Sequence, residues 1–372
     1  MTAGFYSPLP PAKTGVADYA LSLLTALRRR GPVEIAPERC DVALYHLGNN
    51  PLHADIYARA LASPGVIVLH DAVLHHFLLG RLTEAEYIEE FVYNYGEWTR
   101  GLAQELWRAR ASSGTDARYF DYPMLKRIVE TSRAVIVHNP AALAAVKRHA
   151  PGTPVVEIPH LFEAPALPDV GARVRWRQAH GIPAGAFLVG VFGYLRESKR
   201  LFSVLDAFSR LRAGNPDAWL LVAGVFVSSD LERATAALLS GPGIARVPYL
   251  PEAEFWTAAA AVDACINLRY PGAGETSGIA VRLMGIGKPV IVTEGLETSR
   301  FPEGACIRIP GGVAERESLW QHMVLLTSNS EAARVIGQWG SAHVRSLHAV
   351  DAIADQYWKT LCEYCPSFSP PA

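Results

Sequence analysis

The sequence predicts an α/β protein with two doubly wound parallel sheets, each in a domain of its own. Short apolar runs alternate with amphipathic stretches along the chain, which is the pattern of parallel strands covered by helices. A second series of such runs begins at Phe187, after a proline-interrupted stretch at residues 160–171. With 372 residues, half of them hydrophobic, the chain is long enough to form two cores.

The first half contains five apolar runs that we interpret as strands. A helix follows the first run, because its apolar residues recur on one face and Gly31-Pro32 ends it. The predicted strands are residues 4–9, 42–47, 66–70, 134–138 and 155–159.

A long helical stretch at about residues 72–130 takes the place of a short connection. Aromatic residues at helical spacing are usually core, so we favour a structural role for them, with the floor of an acceptor site as the alternative. They are Phe77, Tyr87, Phe91, Tyr93, Tyr95, Trp98 and Trp107.

The second half repeats the strand and helix alternation. We predict strands within residues 187–193, 218–224, 245–250, 264–270, 288–292 and 305–310. The resulting domains are residues 1–165, including the helical insertion, and residues 166–345. Residues 346–372 form a C-terminal helix, expected to pack back on the first domain, and a tail.

Composition excludes several classes of function. The formal net charge of −1 gives no general attraction to nucleic acid, and membrane contact is expected to be peripheral at most. No run has membrane-spanning length and no signal peptide is visible, so we expect a cytoplasmic protein. The pair Cys362 and Cys365 lacks a second pair of ligands, which argues against a zinc or redox site.

Polar or glycine-rich residues follow almost every predicted strand. Because ligands bind outside the carboxyl ends of parallel strands, these residues predict a ligand site in the cleft between the domains. In the first half they are Gly15, Asn49, Asn50, His70, Asp71, His138, Asn139 and His160.

Two segments of the second half predict an anion site. In FGYLRESKRL (residues 192–201), Arg196 and Lys199 precede a helix whose first N–H groups attract phosphate; a solvated helix start is the alternative. In RYPGAGETSGIAVRLMGIGKPVIV (residues 269–292), Glu275 lies in a glycine-rich turn before another helix. The chain lacks GxxxxGK[ST], a full GxGxxG and an Asp-x-Asp pair, so we expect no cofactor and no metal.

These two segments and residues 8–31 follow the order found in the retaining glycosyltransferases of family 4, which the chain resembles over most of its length. The resemblance implies a GT-B fold, in which two Rossmann-like domains face a central cleft. It also implies a nucleotide-sugar donor, whose diphosphate Lys199 binds. Glu275 would bond hydroxyls of the donor sugar, Gly15 would face the diphosphate and the acceptor, and His70 would contact the sugar.

The sequence departs from this family at two positions. Tyr194 stands where an arginine often follows the glycine, so our hypothesis is that Arg196 supplies the second cation. Arg282 or Leu283 stands where a second acid normally contacts the ribose, so contacts to the ribose are open.

The predicted function is metal-independent, retaining transfer of a sugar to a glycan, lipid-linked or small-molecule acceptor. A noncatalytic nucleotide-sugar or glycan-binding relative and a nucleotide-sugar epimerase of the same fold are the alternatives. The predicted site comprises catalytic Lys199, Arg196, Glu275 and His70, donor-binding Gly15, Gly193, Thr276, Ser277, Gly278 and Ile279, and acceptor candidates Asn49, Asn50, His138 and Asn139. His75 and His76 are disfavoured as a metal site because no carboxylate is near them in the sequence.

Overall fold

The computed structural model of the protein describes residues 1–366 and divides into two compact units. The first unit comprises Met1–Glu163, the short segment Gly272–Thr276 and the chain from Leu347 onward. The second comprises Ala164–Pro271 and Ser277–Ser346. The end of the predicted C-terminal tail lies outside the described residues.

The first unit contains a parallel sheet of six strands in the order β2-β1-β3-β4-β5-β6. The strand order reverses at β1, as a doubly wound sheet requires. The strands are β1 (Ala3–Tyr6), β2 (Val33–Ile35), β3 (Val42–Leu47), β4 (Val66–Leu69), β5 (Ala134–Val137) and β6 (Val155–Glu157).

Helices cover both faces of this sheet. Thr14 caps the first helix, and a capping box of Thr83 and Glu86 opens the fourth. The helices are α1 (Gly15–Leu27), α2 (Ala54–Ala62), α3 (His75–Leu79), α4 (Glu84–Tyr95), α5 (Arg100–Arg108), α6 (Arg118–Asp121), α7 (Lys126–Thr131) and α8 (Pro140–His149), with short 3₁₀ helices at Pro51–His53, Glu97–Thr99 and Arg110–Ser112.

The second unit contains another parallel sheet of six strands, in the order β12-β11-β10-β7-β8-β9. The two sheets confirm the predicted doubly wound α/β architecture. The strands are β7 (Phe187–Phe192), β8 (Ala218–Ala223), β9 (Ile244–Val247), β10 (Ala264–Asn267), β11 (Val290–Thr293) and β12 (Ile307–Ile309).

The core of the second unit lies between one face of this sheet and two of the helices that cover it, and it includes Val191, Ile266, Phe208 and Met323. The helices of the unit are α9 (Val170–Ala179), α10 (Leu201–Gly214), α11 (Ser229–Leu239), α12 (Glu252–Ala261), α13 (Gly278–Gly285), α14 (Glu315–Ser328) and α15 (Ser330–Leu347), with 3₁₀ helices at Glu197–Lys199 and Leu296–Thr298.

The last helix, α16 (Val350–Glu363), belongs to the first unit and packs on α1. The hydroxyls of Tyr19 and Tyr357 lie 2.8 Å apart, and both side chains are buried. Arg30 adds ion pairs at the surface, at 2.8 Å to Asp351 and 2.9 Å to Asp355.

Most aromatic side chains of the helical insertion are core residues. Tyr87 and Phe91 are fully buried, Phe77 is buried, and Tyr95 and Trp107 pack against the same cluster. This confirms the structural role for these five. Tyr93 and Trp98 are exposed, so the core does not account for them.

Among residues 1–366, no helix combines the length and the apolar character needed to cross a bilayer.

We predict that Tyr357→Phe lowers the free energy of unfolding by about 1–2 kcal/mol, because it leaves the buried hydroxyl of Tyr19 without its partner. The double variant Tyr19→Phe/Tyr357→Phe removes both hydroxyls and should be more stable than Tyr357→Phe alone. Urea unfolding of the wild type, Tyr19→Phe, Tyr357→Phe and the double variant measures this coupling. Strictly additive losses would contradict the bond.

Candidate functional site

Lys199 lies buried at the carboxyl end of β7, with only 6% of its surface exposed. Its Nζ donates a hydrogen bond to the carbonyl oxygen of Phe192, the last residue of the strand. Burial raises the pKa of the Cys265 thiol to about 12, and the nearby positive charge of Lys199 opposes that rise. The Nζ group of Lys199 is therefore held inside the second unit, at the end of β7.

The first turn of α13 lies beside this ammonium. A methyl group added at Gly193 would lie 3.2 Å from Nζ of Lys199 and 3.6 Å from Cγ1 of Ile279. Ser277 caps the helix, because its Oγ accepts from the N–H of Ala280 at 3.2 Å. The structure thus brings predicted residues Gly193, Lys199, Ser277 and Ile279 together at a helix N-terminus, with Gly278 as the first helical residue.

Glycines let the ends of β7 and β8 approach each other closely. Gly193 has a φ of 89°, which side chains rarely adopt, and a Cβ at Gly224 would lie 1.8 Å from the carbonyl oxygen of Gly193. Any side chain at residue 224 would therefore displace the turn that leads to Lys199.

Arg196 is exposed at the start of the Glu197–Lys199 turn. Its carbonyl oxygen accepts from the N–H of Lys199 at 3.0 Å, which fixes its backbone. Its role as second cation stays a prediction.

The position of the expected second acid carries no carboxylate. Leu283 is fully buried in α13. Arg282 forms an ion pair with Glu252, and its guanidinium lies 4.1 Å from the ring centre of Phe255 and 4.3 Å from that of Trp256.

In the first unit, the segment Gly272–Thr276 is hydrogen-bonded to the ends of β4 and β5. The N–H of Ala72 donates to the carbonyl oxygen of Ala273 at 2.9 Å. Nδ2 of Asn139 donates to the carbonyl oxygen of Gly274 at 2.9 Å and to Oγ1 of Thr276 at 3.0 Å. Oε2 of Glu275 accepts from the N–H of Ala273 at 2.8 Å within the turn.

Asn139 therefore holds the turn that carries Glu275. Its Oδ1 also caps α8 by accepting from the N–H of Ala142 at 2.9 Å, and the side chain is buried. The sequence indicated an acceptor contact here and did not reveal this bridging role.

Histidines cluster around Tyr19 at the carboxyl ends of β3 to β6. Nδ1 of His46 and Nε2 of His70 lie 2.9 Å apart, and the His70 and His138 ring centres lie 5.3 Å apart. We call His46, His53, His70, His138 and His160 the histidine cluster.

Burial keeps several of these rings neutral. It lowers the pKa of His53 and of His138 to about 4, and it lowers the pKa of His46 and His70 well below the usual range. Within residues 1–366, Nε2 of His46, His53 and His138 is buried without a hydrogen-bond partner. Sequence reasoning identified the strand-end histidines, but it missed His46, which lies within β3, and His53.

The other predicted polar residues support loops of the first unit. Oδ1 of Asn49 accepts from the N–H of Phe77 at 2.7 Å, and its own N–H donates to Oδ2 of Asp71 at 2.7 Å. Asn50 caps the Pro51–His53 turn. Gly15 opens α1, and a Cβ there would meet no atom within 4 Å.

His75 is not arranged as a metal ligand. Its Nδ1 lies 2.8 Å from the carbonyl oxygen of Tyr122, and its Nε2 lies 2.7 Å from the hydroxyl of Tyr87. Across residues 1–366, no three His, Cys, Asp or Glu side chains form a group that could hold a metal ion.

Solved structures with the same architecture cover almost the whole chain. Sucrose-phosphate synthase from Thermosynechococcus elongatus matches 97% of this chain and 98% of its own, with a TM-score of 0.67 and 16% identity. Anabaena Alr3699/HepE in complex with UDP and glucose matches 97% and 99%, with a TM-score of 0.66 and 14% identity. The chain has the GT-B fold.

A third GT-B structure is WaaG, a glycosyltransferase involved in lipopolysaccharide biosynthesis. It matches 96% of this chain and 99% of its own, with a TM-score of 0.65 and 13% identity. The sequence matches no family model and no curated protein sequence. The similarity of this GT-B chain to known proteins thus lies in its fold.

We predict that acidification destabilises the protein through the histidine cluster. An unfolded histidine titrates near pH 6.5, whereas His53 and His138 titrate near 4 when folded. Well above pH 6.5, as at pH 7.5, these histidines are neutral in both the folded and the unfolded state, and their contribution to stability is fully present. As the pH falls towards 4, the unfolded chain binds protons that the folded chain does not. At pH 5 the free energy of unfolding is lower by about 2 kcal/mol for each of these histidines.

Urea unfolding at pH 7.5, 6.5, 5.5 and 5.0 measures this dependence. The free energy of unfolding of His138→Gln should fall less steeply between pH 6.5 and 5 than that of the wild type, because one titrating group is gone. This holds whatever the stability of the variant at pH 7.5. An equally steep curve in the variant would rule out His138 as a source of the dependence.

We also predict that Asn139→Asp loosens the Gly272–Thr276 turn. The change keeps the oxygen that caps α8 but removes the two N–H bonds to Gly274 and Thr276, at a cost of about 1–3 kcal/mol. Hydrogen exchange of the peptide that contains the turn should accelerate. Asn50→Asp makes the same change at another cap and serves as the control; equal exchange in both variants would contradict the bridging role of Asn139.

Proposed function

We propose that the protein is a retaining glycosyltransferase that moves a sugar from a nucleotide-diphosphate sugar to a glycan, lipid-linked or small-molecule acceptor. The observation that carries this proposal is the buried ammonium of Lys199 beside Gly193 and the first turn of α13. A buried cation and helix N–H groups form a site suited to a diphosphate.

The structural neighbours support this class of donor. Three structures of HepE contain UDP, UDP and glucose, or UDP-glucose. If this chain binds its donor with the same part of the fold as HepE, Lys199 would contact a nucleoside diphosphate.

The chemistry requires stabilisation of a departing diphosphate. The bond between the anomeric carbon and the β-phosphate oxygen breaks, and the acceptor oxygen attacks from the same face. The acceptor proton passes to the departing phosphate oxygen. Lys199 and the helix N–H groups stabilise the negative charge that grows on this oxygen. In this proposal they serve the purpose that a metal ion serves in other transferases, so no metal is needed.

In this proposal, residues of the first unit contact the uncharged parts of the substrates, namely the donor sugar and the acceptor. Glu275, held in its turn by Asn139, accepts hydrogen bonds from hydroxyls of the donor sugar. His70 contacts the same sugar as a neutral ring, since burial lowers its pKa. His138, Asn49 and Asn50 stay candidates for acceptor contacts.

One observation favours the noncatalytic alternative. Arg282 is paired with Glu252 where an acid would contact the ribose, so a contact typical of the family is replaced by a local ion pair. An epimerase has less support, because it needs a titrating acid and base at the sugar, whereas the histidines near His70 are held neutral.

We predict that Lys199→Met lowers the turnover of the nucleotide sugar about a hundredfold, because the variant keeps the buried stem and loses the charge at the leaving group. The donor base is identified first, by thermal denaturation with UDP, GDP, ADP, CMP and dTDP in the presence of chelator. A ligand at about 100 times its Kd stabilises the fold by roughly 2.7 kcal/mol. Turnover is then measured as hydrolysis or transfer of the matching nucleotide sugar.

Arg233→Ala, at an exposed arginine of α11, serves as the control for loss of a positive charge from the same unit. A selective shift with one nucleotide but no hydrolysis or transfer would favour the noncatalytic alternative. No shift with any nucleotide, or full turnover by Lys199→Met, would contradict the proposed function.

A further inference from the structure

Lys199 and Arg269 lie on neighbouring segments of the second unit. The N–H of Tyr270 donates to the carbonyl oxygen of Ser198 at 2.8 Å. This bond joins the residue after Arg269 to the residue before Lys199. The two cationic residues therefore follow adjacent strands, β10 and β7, and flank the same backbone contact.

The guanidinium of Arg269 reaches the N-terminus of α13. Its Nη2 donates to Oγ of Ser277, the cap of that helix, at 3.4 Å. Its backbone N–H donates to Oγ1 of Thr293 at 3.0 Å, which fixes the position of the residue on the sheet. Lys199 approaches the same first turn from the side of Gly193, so both cations adjoin one helix start.

A buried amide at the same strand ends indicates a polar ligand. Asn267 is 3% exposed, and within the described part of the chain neither Oδ1 nor Nδ2 has a hydrogen-bond partner. Such a group is costly to bury unless something bonds it.

The side chain of Asn267 is on the side of the sheet where Lys199 lies. Side chains alternate along β10, so Asn267 shares a face with Cys265, whose pKa responds to Lys199. Cys265 is opposite Gly190, so Asn267 is level with Phe192, the residue whose carbonyl oxygen binds Lys199. The unpaired amide of Asn267 therefore lies at the end of β10, level with the strand end whose carbonyl oxygen binds Lys199.

We propose that Arg269 is the second cation of the diphosphate subsite, paired with Lys199. This inference rests on the proposed function and specifies how the donor is held. Tyr194 leaves the usual arginine position without a charge, and Arg196 is exposed. Arg269 is half-buried, so solvent screens its charge less, and its planar guanidinium can bind two phosphate oxygens at once.

The test compares the binding of UDP, UMP and uridine to full-length variants by calorimetry, with chelator present. If GDP, ADP or dTDP gives the thermal shift instead, that diphosphate is used together with the monophosphate and the nucleoside of the same base. Arg269→Gln keeps a donor for Ser277 and removes the charge, and Arg269→Lys keeps the charge without the fork. We expect Arg269→Gln to weaken diphosphate binding at least tenfold and nucleoside binding less than twofold, with partial recovery in Arg269→Lys.

Lys199→Met separates this inference from the proposed function. Diphosphate binding that is weakened by Lys199→Met but unchanged by Arg269→Gln would overturn the role of Arg269 alone. The role of Arg269 would also be overturned if Arg196→Ala weakened diphosphate binding while Arg269→Gln did not. A wild type that binds no nucleoside diphosphate would overturn both. Equal losses for diphosphate and nucleoside in Arg269→Gln would reveal general damage to the fold and would likewise overturn the charge-specific role.

Discussion

The buried ammonium of Lys199 is the constraint on which the second unit depends. Removing a charge from water is costly unless polar groups surround it, and the carbonyl oxygen of Phe192 supplies one of them. The next residue, Arg200, adopts a φ of 58°, which turns the chain from the 3₁₀ turn into α10. Its Nε is held at 2.8 Å by the fully buried carboxylate of Glu315. An ion pair and a strained residue thus fix a cation at the strand end, and an arriving anion would offset the cost of its burial.

The two units differ in the charge that their strand ends carry. In the first unit the strand ends carry the histidine cluster, whose buried rings are held neutral, together with asparagines that cap helices and bind loops. In the second unit the strand ends carry Lys199 and Arg269 beside a helix N-terminus. Neutral donors and acceptors suit sugar hydroxyls, whereas cations and helix N–H groups suit phosphate. The strand ends of the two units therefore suit different kinds of ligand group.

Apolar runs predicted the positions of most strands, because a buried parallel strand is apolar on both faces. The strands predicted from these runs were in several cases too long. For example, β6 ends at Glu157 rather than at residue 159, because the apolar run continues beyond the last backbone pairing with β5. They missed β2, a three-residue edge strand in which only Val33 is buried. The segment at residues 192–201 and the turn that carries Glu275 were recognisable as sequence motifs. Arg269 and Asn267 were not, because their significance comes from the register of β10 against β7, which a single sequence does not contain.

The loss of the second acid has a consequence for how binding energy is distributed. Arg282 and Glu252 neutralise each other, and Leu283 points into the core, so α13 offers no carboxylate to a ribose. The helix start retains Ser277 as its cap, with Lys199 and Arg269 beside it. Because ionised partners form stronger hydrogen bonds than neutral ones, the proposed function would concentrate affinity on the phosphates. Under that proposal, recognition would depend more on the number of phosphates than on the sugar of the nucleoside, and the second acid would not be required to hold the donor.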